Sequence, residues 1–112
     1  MHKLGQKVPF ATSSAWHTTM YLDEAEFVVL AALPADSLMK WRYTSAIAPG
    51  WAVDIFDGVL SGLVTAEIEV DESGKPSGCP WPGVEVTDDP RFAGGHLAAL
   101  DPWQAASLIR GE

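Results

Sequence analysis

Two positive charges lie two residues apart in the stretch LMKWRYTSAI, positions 38–47, where Lys40 and Arg42 flank a tryptophan. Farther along the chain, Glu67 and Glu69 have the same spacing, and Asp54 lies between the two pairs. Basic side chains bind anions and carboxylates bind cations. A set of this kind therefore either serves a charged ligand or forms ion pairs among its own members.

The segments that carry these residues have the two-residue hydrophobic period of β-strands. The runs are LMKWRYTSAI at 38–47, WAVDIF at 51–56 and LVTAEIEV at 63–70. The connections at 48–50 and 57–62 are short enough to join neighbouring antiparallel strands, so the region is predicted to be a β-meander. LGQKVPF at 4–10 and AWHTTMYL at 15–22 are weaker strand predictions.

Alternate residues of a strand point to opposite faces of its sheet, so each run can be divided into two sets. Lys40, Arg42 and Thr44 fall on one face of the first run, and the same logic groups Asp54 and the two glutamates with them. The other face is apolar, and we expect the helix at 23–33 to cover it, which turns the charged face away from that helix. If the charged face is only solvated surface, its ion pairs contribute under about 1 kcal/mol each. The apolar face would carry Met39, Trp41, Tyr43, Ile47, Trp51, Val53, Ile55, Val64, Ala66, Ile68 and Val70.

Two segments carry the start and stop signals of α-helices. In LDEAEFVVLAALP, Asp23 and Glu26 form a capping pair and Pro34 ends the pattern. In DPWQAASLIRGE, Asp101 is the predicted cap and Pro102 the first helical residue. Between these helices, the Gly-, Pro- and Ser-rich stretch 71–83 is predicted to be a loop.

Length and charge narrow the possible classes of protein. The chain has 112 residues, which predicts one domain over 1–112, and its formal net charge of −8 argues against nucleic acid and anionic lipid as partners. Cys79 is the single cysteine, so an internal disulfide is excluded. No apolar run is long enough to span a bilayer or resembles the core of a signal peptide, and we expect a cytoplasmic protein.

Four motifs occur in the order and at the spacing typical of one family. They are K-x-R-Y at 40–43, D-x-F-x-G at 54–58, G-L-x-x-x-E-x-E at 62–69 and E-V-T-x-D-x-R-F at 85–92. Together with KVP at 7–9, this set resembles the C-terminal part of the CYTH family, the triphosphate tunnel metalloenzymes. That family includes class IV adenylyl cyclases, thiamine triphosphatases and inorganic triphosphatases, and the resemblance covers roughly residues 2–100.

The elements predict an α+β fold with a covering helix and a C-terminal helix, and the resemblance implies that the antiparallel meander forms part of a β-barrel with a polar tunnel. It implies that a triphosphate compound is held by Mg²⁺ or Mn²⁺ and by basic side chains, because hard carboxylate oxygens suit such cations and phosphoryl transfer depends on alignment and neutralisation of charge. The implied phosphate ligands are Lys7, Lys40, Arg42 and Arg91, and the implied metal ligands are Glu67, Glu69 and Asp54.

The chain departs from the family at its start, because the strand with E-x-E-x-K is missing and the domain is predicted to be N-terminally shortened. Unpaired strand edges favour pairing with another chain, so we expect a homodimer that completes the sheet. Three functional hypotheses follow. The first is a metal-dependent triphosphatase that is active as an assembly, with adenylyl cyclase as the less expected activity. The second is a non-catalytic phosphate-binding or assembly module. The third is a truncated remnant whose charged face is only solvated surface.

For the other candidate residues, the sequence favours structural roles. Glu85, Asp88 and Asp89 could join a metal site, although local turn and capping roles are the more ordinary interpretation. Cys79 has no neighbouring base that would make it reactive and is predicted to be a loop residue.

Overall fold

The computed structural model describes residues 1–11, 14–70 and 78–112, and its class is α+β with antiparallel sheets, as predicted. The elements form two compact units, the first comprising Met1–Asp36 with Val86–Asp89 and the second comprising Ser37–Glu85 with Pro90–Glu112. The strands are β1 (His2–Ala11), β2 (Ser14–Leu22), β3 (Met39–Thr44), β4 (Trp51–Asp57) and β5 (Val64–Ile68), and the helices are α1 (Glu24–Ala31), α2 (Gly94–Ala98) and α3 (Pro102–Ile109), with 3-10 turns at Gly58–Leu60 and Pro90–Phe92.

The first unit is a β-hairpin followed by a short helix. Strands β1 and β2 pair antiparallel, and α1 contacts both of them. Asp23 caps α1 by accepting a hydrogen bond from the Glu26 backbone at 2.8 Å, while the Glu26 side chain bonds back to the cap, which confirms the predicted capping pair. None of the described residues of this unit is buried.

The second unit contains the predicted meander, in the order β3-β4-β5 with β4 at the centre. Arg42 is paired with Asp54, and Asp54 with Thr65, so the three strands share one aligned row. Gly50 and Gly62 have φ angles of 84° and 101° in the connections before and after β4, a left-handed conformation that favours glycine.

The core lies against the charged face of this sheet, which makes the predicted orientation of the sheet wrong. That face has an apolar end, where Leu38, Phe56 and Leu63 pack against the 3-10 turn Gly58–Leu60 and against helices α2 and α3. Ala105 of α3 is fully buried, and its small side chain lets the helix approach closely. The buried residues of this core are Phe56, Leu60, Leu63, Leu97 and Ala105.

The opposite face of the sheet is exposed, although it was predicted to be covered. Met39 is 59% exposed, Trp41 61% and Tyr43 55%. Helix α1, which was expected to cover this face, belongs to the first unit and contacts both strands of the hairpin. Alternation alone separates the two faces, but it does not determine which one the rest of the chain packs against.

The C-terminal segment is helical, partly as predicted. Asp101 caps α3 in a capping box with Gln104, and Pro102 is in the first turn. The preceding helix α2 is not predicted by the sequence, because Gly94 and Gly95 are poor helix formers and Ala93 provides no side-chain cap. In the predicted loop 71–83, residues 71–77 lie outside the described part, and 78–83 contain neither helix nor strand.

The predicted barrel is not confirmed. Across residues 1–11, 14–70 and 78–112 the strands form one two-stranded and one three-stranded sheet, and these sheets do not close into a barrel. Within the same ranges, every helix is too short or too polar to cross a membrane.

Candidate functional site

Four of the seven predicted site residues meet on the charged face of the three-stranded sheet. Lys40 and Arg42 come from β3, Asp54 from β4 and Glu67 from β5. The face analysis predicted from the two-residue period that these four residues and Glu69 share a face, and the contacts confirm the grouping for the four. We call these four residues the charge cluster.

Asp54 is the centre of the charge cluster. Its side chain is only 3% exposed, and it accepts hydrogen bonds from Lys40 Nζ at 2.8 Å, from Arg42 Nε at 2.8 Å and from Arg42 Nη2 at 2.9 Å. The Arg42 contact is bidentate, which is the strongest geometry for a carboxylate and a guanidinium. A buried carboxylate without such partners would be very unfavourable, so the two cations are what keeps Asp54 ionised.

The two cations also determine the proton affinity of Asp54. Hydrogen bonds from Arg42 lower the pKa of Asp54 from 3.8 to about 2, with a further contribution from Lys40, and they outweigh burial, which acts in the opposite direction. The pKa of the Arg42 guanidinium is raised, mainly by the same bond to Asp54. Asp54 is therefore negatively charged at every physiological pH.

Arg42 links the outer strands of the sheet through the central one. Its Nη2 donates to Asp54 on β4 and also to Glu67 Oε1 on β5. Arg42 is 47% exposed and Glu67 54%, so the Glu67 half of this arrangement is open to solvent while the Asp54 half is buried. Exposed ion pairs of this kind exchange readily with other anions, because water and salt screen them.

Lys40 is held by an apolar contact as well as by a charge. Its ammonium lies 5.6 Å from the centre of the Phe56 ring, within the range of a cation–π interaction, and Phe56 is its cross-strand partner. An ammonium group has three N–H donors, and Asp54 accepts one of them. The contact between Phe56 and Lys40 was not predicted from the sequence, where Phe56 was noted only as part of the D-x-F-x-G motif.

The four groups of the charge cluster compensate one another. Two cations face two carboxylates, so the cluster is formally neutral although the chain is strongly acidic. Both oxygens of Asp54 already accept hydrogen bonds from cations, which leaves this carboxylate poorly placed to bind a metal ion. Among the described residues, no group of three or more His, Cys, Asp or Glu side chains is placed to hold a metal, so the donors present do not fit Mg²⁺ or Mn²⁺ without additional ligands.

The remaining predicted site residues are not part of the charge cluster. Glu69 follows the last residue of β5 and is exposed. Lys7 belongs to β1 of the first unit, where it is opposite His17. Arg91 is in the 3-10 turn Pro90–Phe92, with its guanidinium 5.7 Å from the Phe92 ring. Their ligand roles stay predictions.

The acidic residues near position 88 are in a turn. The Asp89 backbone donates to the Val86 carbonyl at 2.9 Å, which agrees with the local role favoured by the sequence. Asp88 and Asp89 each have further interaction partners.

Comparisons with known proteins do not identify the class of this chain. No protein-family model matches the sequence, and neither a curated protein nor a solved structure is similar to it at a significant level. The resemblance to the CYTH family therefore rests on the sequence motifs alone and stays a prediction.

Proposed function

We propose that this chain is a non-catalytic binding module of the CYTH type, which binds a triphosphate-containing small molecule through Lys40 and Arg42. The observation that carries the proposal is the role of Asp54, because one buried carboxylate holds two partly exposed cations side by side. The side chain of Lys40 is 36% exposed and that of Arg42 47%, so both cations are accessible to solvent while Asp54 holds them in position. Such preorganisation lowers the entropic cost of binding an anion.

The donors that remain on the two cations suit phosphate oxygens. Within the described part of the chain, Arg42 donates its hydrogen bonds through Nε and Nη2. The N–H groups of Nη1 take no part in these bonds and suit an incoming anion. Among the described residues, Asp54 accepts one of the three N–H donors of the Lys40 ammonium, and the other two suit an incoming anion. An entering triphosphate competes with the exposed carboxylate of Glu67 for Arg42, and it leaves the buried pair with Asp54 intact.

The proposal includes metal-dependent hydrolysis of a triphosphate only for an assembly of more than one chain. The carboxylates of the described residues do not form a metal site on their own, so hydrolysis with Mg²⁺ or Mn²⁺ would need further carboxylates, which in this proposal an assembly supplies. The expected homodimer is the simplest such assembly. The proposal further places the chain in the cytoplasm, where triphosphates are abundant and a lone thiol such as Cys79 stays reduced.

Calorimetry with inorganic triphosphate, in the absence of metal, tests the binding proposal. Arg42→Gln and Lys40→Ala should each weaken binding at least about tenfold, which corresponds to one charge-assisted contact. Arg110→Gln is the matched control, because Arg110 is 52% exposed and pairs with Glu112 at 2.9 Å outside the charge cluster. Equal affinity in the wild type and in both cluster variants would disprove the assignment.

Glu67→Gln separates the two possible roles of Glu67. If Glu67 competes with the ligand, the variant binds triphosphate more tightly without metal, because the competing charge is gone. If Glu67 is a metal ligand, the variant loses any increase in affinity that Mn²⁺ produces in the wild type.

A phosphate-release assay with inorganic triphosphate, ATP and thiamine triphosphate in Mn²⁺ distinguishes binding from hydrolysis. Binding without turnover is the expected result. Turnover that Arg42→Gln abolishes would replace the binding module by the triphosphatase hypothesis.

A further inference from the structure

The charged face of the β3-β4-β5 sheet has a direction along its strands. Lys40 is in the row of side chains next to the apolar end, Arg42 is in the middle row, and Glu67 is in the row at the far end. Successive rows are two residues apart, so the rows of Lys40 and Glu67 are separated by roughly 13 Å along the strands. The three rows are Lys40 with Phe56, Arg42 with Asp54 and Thr65, and Thr44 with Ala52 and Glu67.

Arg42 connects the middle row to the far one by pairing with Glu67. Its guanidinium donates to Glu67, while Asp54 holds the same group from the centre of the sheet. Within the described part of the chain, Arg42 is the one cation that Glu67 contacts. The charge of Glu67 is therefore balanced by a group that the proposed ligand also uses.

A phosphate that takes over Arg42 leaves the Glu67 carboxylate without its cation. The released carboxylate then lies beside the bound anion, and like charges at short range disfavour binding. The formal net charge of −8 adds a repulsion that acts on every polyanion from a distance. Both penalties decrease if the ligand brings a positive charge of its own.

On the basis of the proposed function, we propose that the ligand of the charge cluster is a triphosphate ester whose organic group carries a positive charge, such as an alkylammonium. The phosphates bind Lys40 and Arg42, and the cationic group of the ligand replaces Arg42 as the partner of Glu67. Thr44 and Ala52, in the row of Glu67, have small side chains that leave space above the strands for the organic group.

Stacking on a nucleobase is not available in these three rows. Phe56 is their one aromatic side chain, it is 5% exposed, and the Lys40 ammonium lies over its ring. Recognition of the organic group therefore depends on its charge beside Glu67, which distinguishes the proposed ligands from nucleoside triphosphates.

Calorimetry with two esters of the same shape tests this preference for charge. The esters are 2-(trimethylammonio)ethyl triphosphate and 3,3-dimethylbutyl triphosphate, in which a carbon atom replaces the charged nitrogen. In the absence of metal, the wild type should bind the cationic ester about fivefold more tightly than the uncharged one, which is the size of one exposed ion pair.

Glu67→Gln should bring the ratio of the two affinities close to one, because it removes the carboxylate that the cationic group contacts. Its affinity for the uncharged ester should rise. Glu112→Gln is the matched control, because Glu112 also pairs with an arginine, Arg110, and both replacements remove one negative charge from the chain. This control should keep the fivefold ratio, and circular dichroism verifies that each variant is folded.

Equal affinity of the wild type for the two esters would overturn the proposal, while binding of both would leave the proposed function standing. A preference that Glu67→Gln retains in full would also overturn it, because such a preference comes from the net charge of the chain. If neither ester nor inorganic triphosphate binds, the proposed function fails and this proposal fails with it.

Discussion

Replacing Asp54 by asparagine should lower the free energy of unfolding by about 2 kcal/mol at neutral pH. Asparagine keeps the shape of the side chain and removes its charge, so the variant approximates protonated Asp54. The pKa of Asp54 lies at about 2, below its ordinary 3.8, and a difference of this size corresponds to about 2 kcal/mol of linked stability. Removing one partner of a fully buried ion pair costs about 3–5 kcal/mol, and the smaller value is expected here because Lys40 and Arg42 can rehydrate.

The same reasoning predicts how the difference depends on pH. The pKa of Asp54 is lower in the folded than in the unfolded chain, so the folded state is stabilised by the ionised form. The contribution is fully present above about pH 4, where Asp54 is ionised in both states, and it is lost as the pH falls towards 2. The wild type and Asp54→Asn should therefore converge in stability under acid.

Urea unfolding followed by tryptophan fluorescence, at pH 7 and at several lower values, measures both effects. Asp36→Asn is the matched control, because Asp36 is exposed and its replacement should change stability by less than about 0.5 kcal/mol at any of these pH values. Equal stability of the wild type and Asp54→Asn at pH 7 would refute the argument. A difference that persists unchanged at the lowest pH would refute it as well.

Three further predictions concern the elements that position the charge cluster, and urea unfolding measures each of them. Phe56→Ala should cost about 3 kcal/mol because Phe56 is 5% exposed, whereas Phe27→Ala, at 36% exposure, should cost less; equal losses would contradict the described core. Gly62→Ala should cost about 1–3 kcal/mol because its φ is 101°, whereas Gly94→Ala, at the first position of α2, should be neutral or stabilising. Asp101→Ala should cost about 1 kcal/mol through loss of the α3 cap, with a matching loss of helical circular dichroism, and an unchanged signal would count against that cap.

Local sequence patterns were sufficient to predict most of the individual elements. The three strands of the meander follow from alternation, and their short connections determine their antiparallel order. The caps at Asp23 and Asp101 follow from side chains that accept hydrogen bonds from backbone N–H groups three residues later. The grouping of Lys40, Arg42 and Asp54 follows from the pleat of the strands alone.

The packing of the sheet could not be predicted in the same way. The charged face is composite, with Phe56 and Leu63 near one end and Asp54 and Glu67 farther along, so its mean polarity does not show that α3 packs there. The pairing of α3 with this face depends on contacts between residues such as Phe56 and Ala105, which are about 50 positions apart in sequence and which no local period indicates. The neutralisation of both cations by one aspartate likewise depends on cross-strand register.

The charge cluster also has a consequence for how the strands align while the chain folds. If β4 slipped by two residues, every side chain would stay on its original face, so hydrophobic alternation cannot distinguish that misalignment from the native one. In one direction of slip Asp54 would be opposite Lys40 and Arg42 opposite Ala52, and in the other Asp54 would be opposite Thr44 and Arg42 opposite Phe56, so that Arg42 loses its directly opposite bidentate partner. We expect the contacts of Asp54 with Arg42 and Lys40 to select the native alignment of the meander over this otherwise well-matched competitor.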